Sequence, residues 1–280
     1  MLGRALGAEQ GEDERMLQYV KLGGSLITDK ERAYSVRRAV ISRLGQEVRA
    51  ALDADPELDL LIGHGSGSFG HWAAQEFGTQ EGVTTLEGWR GYAEVAAAAA
   101  RLNRIVTDAF IDAQVPVLSL QPSASALCRD GEVTYLDTRP VHAALAHKLV
   151  PLVYGDVALD EVRGGTIAST EGLFDYLADE LHPDRILLLG RVPGVLDGEG
   201  EVVPEVTPAD VADLRATLSG SHGVDVTGGM ASKVAGMAEL VQRHTGISVW
   251  ILTGEVSGLL TRALLAEEPV SGTCIRFRSR

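Results

Sequence analysis

The sequence predicts an α/β fold in which a mainly parallel sheet is covered by helices on both faces. Three observations carry that expectation. Short apolar, β-rich runs alternate with longer segments of helical periodicity, glycine clusters recur where the runs end, and 45% hydrophobic against 23% charged residues over 280 positions supply a full core.

The elements follow in order. Residues 1–15, MLGRALGAEQGEDER, are polar, lack the apolar core of a signal peptide and read as an extension before one domain spanning residues 16–280. Leu17 to Leu22 is a mainly apolar, β-rich run of strand length ended by Gly-Gly, and Val36 to Leu52 repeats apolar positions at helical spacing. Strands are expected again at Leu58 to Ile62, Val115 to Leu120, Leu149 to Tyr154, Ile186 to Leu189 and Ser248 to Leu252. Helices are expected at Glu87 to Ala113, Arg139 to His147, Gly172 to Leu181 and Met230 to His244. The alanine-rich stretch Ala93 to Leu102 belongs to a tightly packed helix, and Gly190 to Gly223, rich in Gly, Pro and acidic residues, is expected to hold a hairpin or a lobe boundary.

Composition excludes several classes. A net charge of −14 without clusters of Lys and Arg argues against a nucleic-acid partner. Cys128 and Cys274 stand far apart without neighbouring His, which suggests neither a disulfide framework nor a zinc site and fits a reducing cytoplasm. No apolar run approaches the roughly 20 residues that span a bilayer, so no membrane partner is expected.

The chemistry gathers at the glycine clusters, because open α/β sheets place ligands at the carboxyl ends of their strands and glycine lets backbone amides approach phosphate. The first is Lys21-Leu22-Gly23-Gly24-Ser25, with Lys30 nine residues after Lys21. The second, Gly63-His64-Gly65-Ser66-Gly67-Ser68-Phe69-Gly70-His71, contains G-x-G-x-x-G. A dinucleotide site would need an acidic strand end about 20 residues on, and that region reads as helix. P-loop and protein-kinase signatures are absent. His71 stands at a helix start, where an imidazole can donate to phosphate beside backbone amides, although a lone histidine is more often structural. The third cluster, Val226-Thr227-Gly228-Gly229-Met230-Ala231-Ser232-Lys233, opens a helix, and Lys233 opposes the macrodipole unless an anion is bound there. Asp156, after the strand ending at Tyr154, could hold lysines in position, organise magnesium through water, or be a plain turn residue.

Together KLGGS with Lys30, GHGSGSFGH, YGD and DVTGGMASK resemble the amino-acid-kinase superfamily over nearly everything after residue 15, and the histidine that ends GHGSGSFGH resembles the substrate-phosphate histidine of isopentenyl phosphate kinases. SLITDKERAYS and Gln121 to Ser125 resemble that family too.

The resemblance implies an open αβα sandwich whose N-terminal half, about 16–155, binds a phosphate acceptor and whose C-terminal half, about 156–280, binds ATP. It implies catalytic roles for Lys21, Lys30, Asp156 and Lys233, with Asp156 orienting the lysines. It places nucleotide contacts at Lys21, Gly23, Gly24, Ser25, Gly67, Gly190, Arg191, Gly229 and Lys233, and substrate contacts at Ser66, Gly70, His71 and Thr170. Mg2+ would be held through phosphates and water with no direct protein ligand, and a homodimer is expected.

The implied reaction is ATP-dependent phosphorylation of isopentenyl phosphate, with the apolar tail between the Trp72 region and the helix Glu87 to Ala113. A kinase for another small phosphate or phosphonate such as fosfomycin, or a non-catalytic nucleotide sensor, are the alternatives. Two departures bear on the nucleotide side: Ser169-Thr170-Glu171-Gly172 stands where the family often has Ser-Gly-Asp-Asp, and Gly190-Arg191-Val192-Pro193-Gly194-Val195 where it often has Thr-Asp-Val-Asp-Gly-Val.

Overall fold

A computed structural model describes residues 16–29, 31–79, 81–212, 229–267 and 271–278. The polar stretch 1–15 lies outside the described residues. The main sheet is built from β1 (Leu17–Leu22), β2 (Asp59–His64), β3 (Val117–Ser119), β6 (Val150–Tyr154), β9 (Arg185–Gly190), β10 (Glu205–Val206), β11 (Ser248–Thr253) and β12 (Thr273–Arg276). Their order is β10-β12-β11-β9-β1-β2-β6-β3. Every pairing is parallel except β11 with β12.

Alternation along the strands sorts the core into two layers, since successive side chains point to opposite faces. On one face Val20 and Leu22 of β1 join Leu60, Ile62, Leu187 and Leu189. That layer packs against α2 (Arg38–Ala54), α3 (Gly67–Phe77), α4 (Leu86–Asp112) and α8 (Leu259–Leu264). On the other, Tyr19, Leu61, Ile186 and Leu188 pack against α5 (Arg139–Ala146), α6 (Thr170–Leu181) and α7 (Gly229–Arg243). Each fully buried aliphatic side chain contributes about 1.5–3 kcal/mol relative to exposure. The expected covering of both faces is therefore present, as an αβα sandwich.

Two features differ from the expectation, and a third bears on the hairpin expected after Gly190. A second sheet, β5-β4-β7-β8, is formed by β4 (Leu127–Arg129), β5 (Glu132–Tyr135), β7 (Asp156–Asp160) and β8 (Gly164–Ala168). Its strands are three to five residues long and partly polar, so they make no apolar run. It is bolted by Asp160, whose carboxylate accepts from the amides of Asp130, Gly131, Val162 and Arg163 at 2.8–3.1 Å. A single helical turn, α1 (Gly24–Ile27), follows β1 directly. Within Gly190 to Gly223, Leu196 and Val202 form an antiparallel bridge and β10 follows it; residues 213–223 lie outside the described residues.

Candidate active site

Register aligns the strand ends along one edge. Leu22 pairs with His64 and Leu189, His64 with Tyr154, and Gly190 with Thr253, so the segments after β1, β2, β6, β9 and β11 emerge side by side.

The first two glycine clusters touch. Gly23 donates to Leu189 O at 2.8 Å. A Cβ on Gly24 would stand 2.7 Å from both the N and the Cα of Gly67, so only glycine permits this approach of backbone to backbone. Gly67 takes φ +52°, and a Cβ there would meet Thr28 Oγ1 at 2.3 Å. Thr28 ties the loops together: its hydroxyl donates to Gly24 O at 2.7 Å and accepts from Ser68 N at 2.9 Å. Ser25 lies half-buried in α1. Ser66 caps α3, its carbonyl accepting from Phe69 and Gly70, and a Cβ on Gly70 would strike Ser66 Oγ at 2.3 Å.

Lys21 is buried at the end of β1, with Nζ 2.9 Å from Glu171 Oε1. The Nζ of Lys233, in the second turn of α7, lies 3.8 Å from the same oxygen. Ser169 sets Glu171 there. Its side chain caps α6 by accepting from Gly172 N at 3.0 Å, which leaves Glu171 in the first turn, where a carboxylate suits the helix dipole. Burial alone would raise the Glu171 pKa, but the charges of Lys21 and Lys233 prevail and hold it below the ordinary carboxylate value.

Two residues expected at the site are engaged by other parts of the chain. Asp156 does not carry the contact to Lys21. Its carboxylate accepts from Ser123 N at 3.1 Å and Val157 N at 2.9 Å, anchoring the start of β7, and burial raises its pKa. The carboxylate that reaches Lys21 is Glu171, whose extra methylene relative to aspartate extends it from α6. Thr170, expected at the substrate, is 1% exposed and its hydroxyl donates to His64 O at 2.7 Å, so it forms the floor beneath the second loop.

Further along the edge Gly190 ends β9 and accepts from Gly254 N at 2.8 Å. The Arg191 side chain is 63% exposed, with Nε 3.5 Å from Glu255 Oε1, and Arg37 grips the same carboxylate at 2.7 and 3.0 Å. Gly229 opens α7. Lys30, Thr227 and Gly228 lie outside the described residues, as does the His71 side chain, whose backbone falls on α3.

Glu171, Thr28 and His64 are the members of this edge to which sequence reasoning gave no role. Glu171 was visible only as a departure from a familiar pattern, and His64 only as a letter inside the glycine cluster. Two ammonium groups, a bridging carboxylate and glycine amides at one sheet edge can hold adjacent phosphates and neutralise charge that passes between them. No group of three or more His, Cys, Asp or Glu among the described residues could hold a metal ion.

The amino acid kinase family profile matches residues 16–253. Isopentenyl phosphate kinase of Methanocaldococcus jannaschii is 31% identical over 94% of this chain and 99% of its own length. The Haloferax volcanii isopentenyl phosphate kinase is 36% identical, over 88% of this chain and 98% of its own. A solved isopentenyl phosphate kinase structure superposes with a TM-score of 0.78 at 29% identity, covering 92% of this chain and 99% of that one. Sequence, fold and site together place the chain in the amino acid kinase family, among the isopentenyl phosphate kinases.

Proposed function

We infer that the protein transfers the terminal phosphoryl group of ATP to isopentenyl phosphate, giving isopentenyl diphosphate and ADP. A phosphate oxygen of the acceptor forms the new bond to the γ-phosphorus as the bond to the ADP oxygen breaks. The acceptor phosphate is largely ionised near neutral pH, so no protein base is required. The obstacle is repulsion between anions, and the observation that carries the reading is the convergence of Lys21 and Lys233 on Glu171 beside the two touching glycine loops.

In this reading Ser66, Gly70 and His71 hold the acceptor phosphate, while Gly23, Gly24, Ser25, Gly67, Gly229 and Lys233 surround the phosphates of ATP. Gly190 and Arg191 lie toward the rest of the nucleotide, Lys21 and Lys30 neutralise the transferred group, and the tail lies between α3 and α4. The N-terminal half then serves the acceptor and the C-terminal half the nucleotide within one domain.

Magnesium fits as an ion carried on the phosphates and water. Of the nearby carboxylates, Glu171 is engaged by lysines and Asp156 by backbone amides. When bound it would offset phosphate charge. A homodimer is supported by the edge position of β3, where Leu118 and the nearby Ile111 are 39% and 49% exposed. Buried cysteines at 128 and 274, neither in a disulfide, suit a cytoplasmic setting, and no described helix is long and apolar enough to cross a membrane. The sensor reading rests on the aspartates missing at 169–172 and 190–195, and Glu171 supplies a carboxylate at the first of these places.

The deciding experiment is ADP release with magnesium ATP and isopentenyl phosphate, with dimethylallyl phosphate and fosfomycin as comparison acceptors. Fastest turnover with isopentenyl phosphate is expected. Preference for fosfomycin, or ATP binding without turnover on any acceptor, would refute the reading.

A further inference from the structure

His64 is fully buried at the end of β2, and the transfer chemistry gives it no task. Its ring stacks on Tyr154, with centroids 5.5 Å apart and planes at 8°. Nδ1 lies 3.0 Å from the carbonyl oxygen of Gly65 and Nε2 lies 3.2 Å from Asn103 Oδ1, while Asn103 Nδ2 donates to Ser119 Oγ at 2.5 Å. A carbonyl only accepts, so Nδ1 carries the proton. Burial, reinforced by the charge of Lys21, lowers the His64 pKa and keeps the ring neutral with a single N–H. Nε2 is then an acceptor. A half-turn of the Asn103 amide presents its NH2 to Nε2 and its carbonyl to the Ser119 hydroxyl, which satisfies every member of the chain.

This tautomer has a consequence for the loop. Gly65 is held at both ends, its N–H donating to Leu22 O at 3.1 Å and its carbonyl accepting from His64. In a trans peptide the carbonyl and the following N–H point in opposite directions, so the His64 bond turns the Ser66 N–H away from the ring. No described residue accepts from that N–H. Gly155 faces it without a side chain, where a Cβ would stand 3.7 Å from Ser66 N. The His64 carbonyl is fixed as well, accepting from Gly155 N at 3.0 Å and Thr170 Oγ1 at 2.7 Å.

We propose that His64 is a positioning residue for the acceptor phosphate, its Nδ1–H locking the Gly65–Ser66 peptide so that the Ser66 amide is presented to the anion. The proposal rests on the kinase reading for the identity of that anion.

Asparagine places an amide nitrogen near the position of Nδ1, and glutamine near that of Nε2. His64→Asn should therefore keep KM for isopentenyl phosphate within about threefold, whereas His64→Gln should raise it about tenfold or more, the loss expected for one hydrogen bond to a charged group. KM for ATP should move little in either. Equal effects of the two variants, or glutamine outperforming asparagine, would overturn the proposal.

A second measurement needs neither catalysis nor a variant. Long-range 1H–15N correlation spectra of the unliganded wild type should show His64 protonated at Nδ1 and bare at Nε2, and the opposite tautomer would overturn the proposal. Failure of the wild type to turn over isopentenyl phosphate would strike the substrate reading, and the tautomer would still decide whether His64 sets the loop.

Discussion

Glu171 Oε1 lies 2.9 Å from Lys21 Nζ, an ion pair that joins the first turn of α6 to the end of the central strand β1. The same oxygen faces Lys233 at 3.8 Å, so one carboxylate sets the positions of two cations from opposite ends of the chain. Glu171→Gln keeps the shape and removes the charge. The turnover number should fall about 10- to 100-fold, as misplacement of charged groups by a fraction of a bond length does, while KM for ATP changes much less. Steady-state kinetics check this; an unchanged turnover number would show that the lysines need no such tie.

Arg191 is largely exposed and shares Glu255 with Arg37. If it faces the nucleotide, Arg191→Ala should raise KM for ATP about 3- to 10-fold with little change in the turnover number, the size of a partly screened charge contact. Titration of both substrates separates this from an effect on the acceptor.

Gly67 and Gly78 both adopt positive φ, at +52° and +62°, but differ in surroundings. A Cβ at Gly78 meets nothing within 4 Å, whereas one at Gly67 meets Thr28 Oγ1 at 2.3 Å and Gly24 O at 2.9 Å. Gly78→Ala should cost about 1–2 kcal/mol of stability for the left-handed backbone alone, and activity should survive. Gly67→Ala should cost more and abolish turnover. Urea denaturation paired with kinetics distinguishes them.

Asp160 predicts a pH dependence. Burial would raise its pKa, but the four amides it accepts from, Arg163, Gly131, Val162 and Asp130, outweigh that and hold it below the ordinary value. A depressed folded pKa stabilises the protein above the unfolded value, near pH 4, and that contribution is lost as pH falls through the folded pKa. Asp160→Asn should therefore be less stable than wild type at pH 7, by about 1–3 kcal/mol for the amide contacts, and the gap should close on acidification. Urea midpoints between pH 7 and pH 3 test the sign.

The long apolar strands were legible because burial on both faces leaves a continuous run. β1 was read to the residue, and β2, β6, β9 and β11 to within two. The strands of the second sheet were not legible, since Leu127–Arg129 and Glu132–Tyr135 are short and expose residues on one face, leaving no period to count. At the site, glycine announced the two touching loops because it has a backbone reason to be there. Glu171 and Thr170 could not be assigned from spacing: what they do depends on Lys21, Lys233 and His64, all distant in the chain. The amides that engage the Asp156 carboxylate were not legible for the same reason, since no sequence pattern reveals them.

The contact of Gly24 with Gly67 couples the fates of two segments that ordinary mutagenesis treats as separate. Each loop is the mould for the other, so a library that diversifies one while freezing its counterpart will return mostly inactive clones. New specificities on this scaffold are best sought by varying both loops in concert, or by leaving both untouched and working from α4.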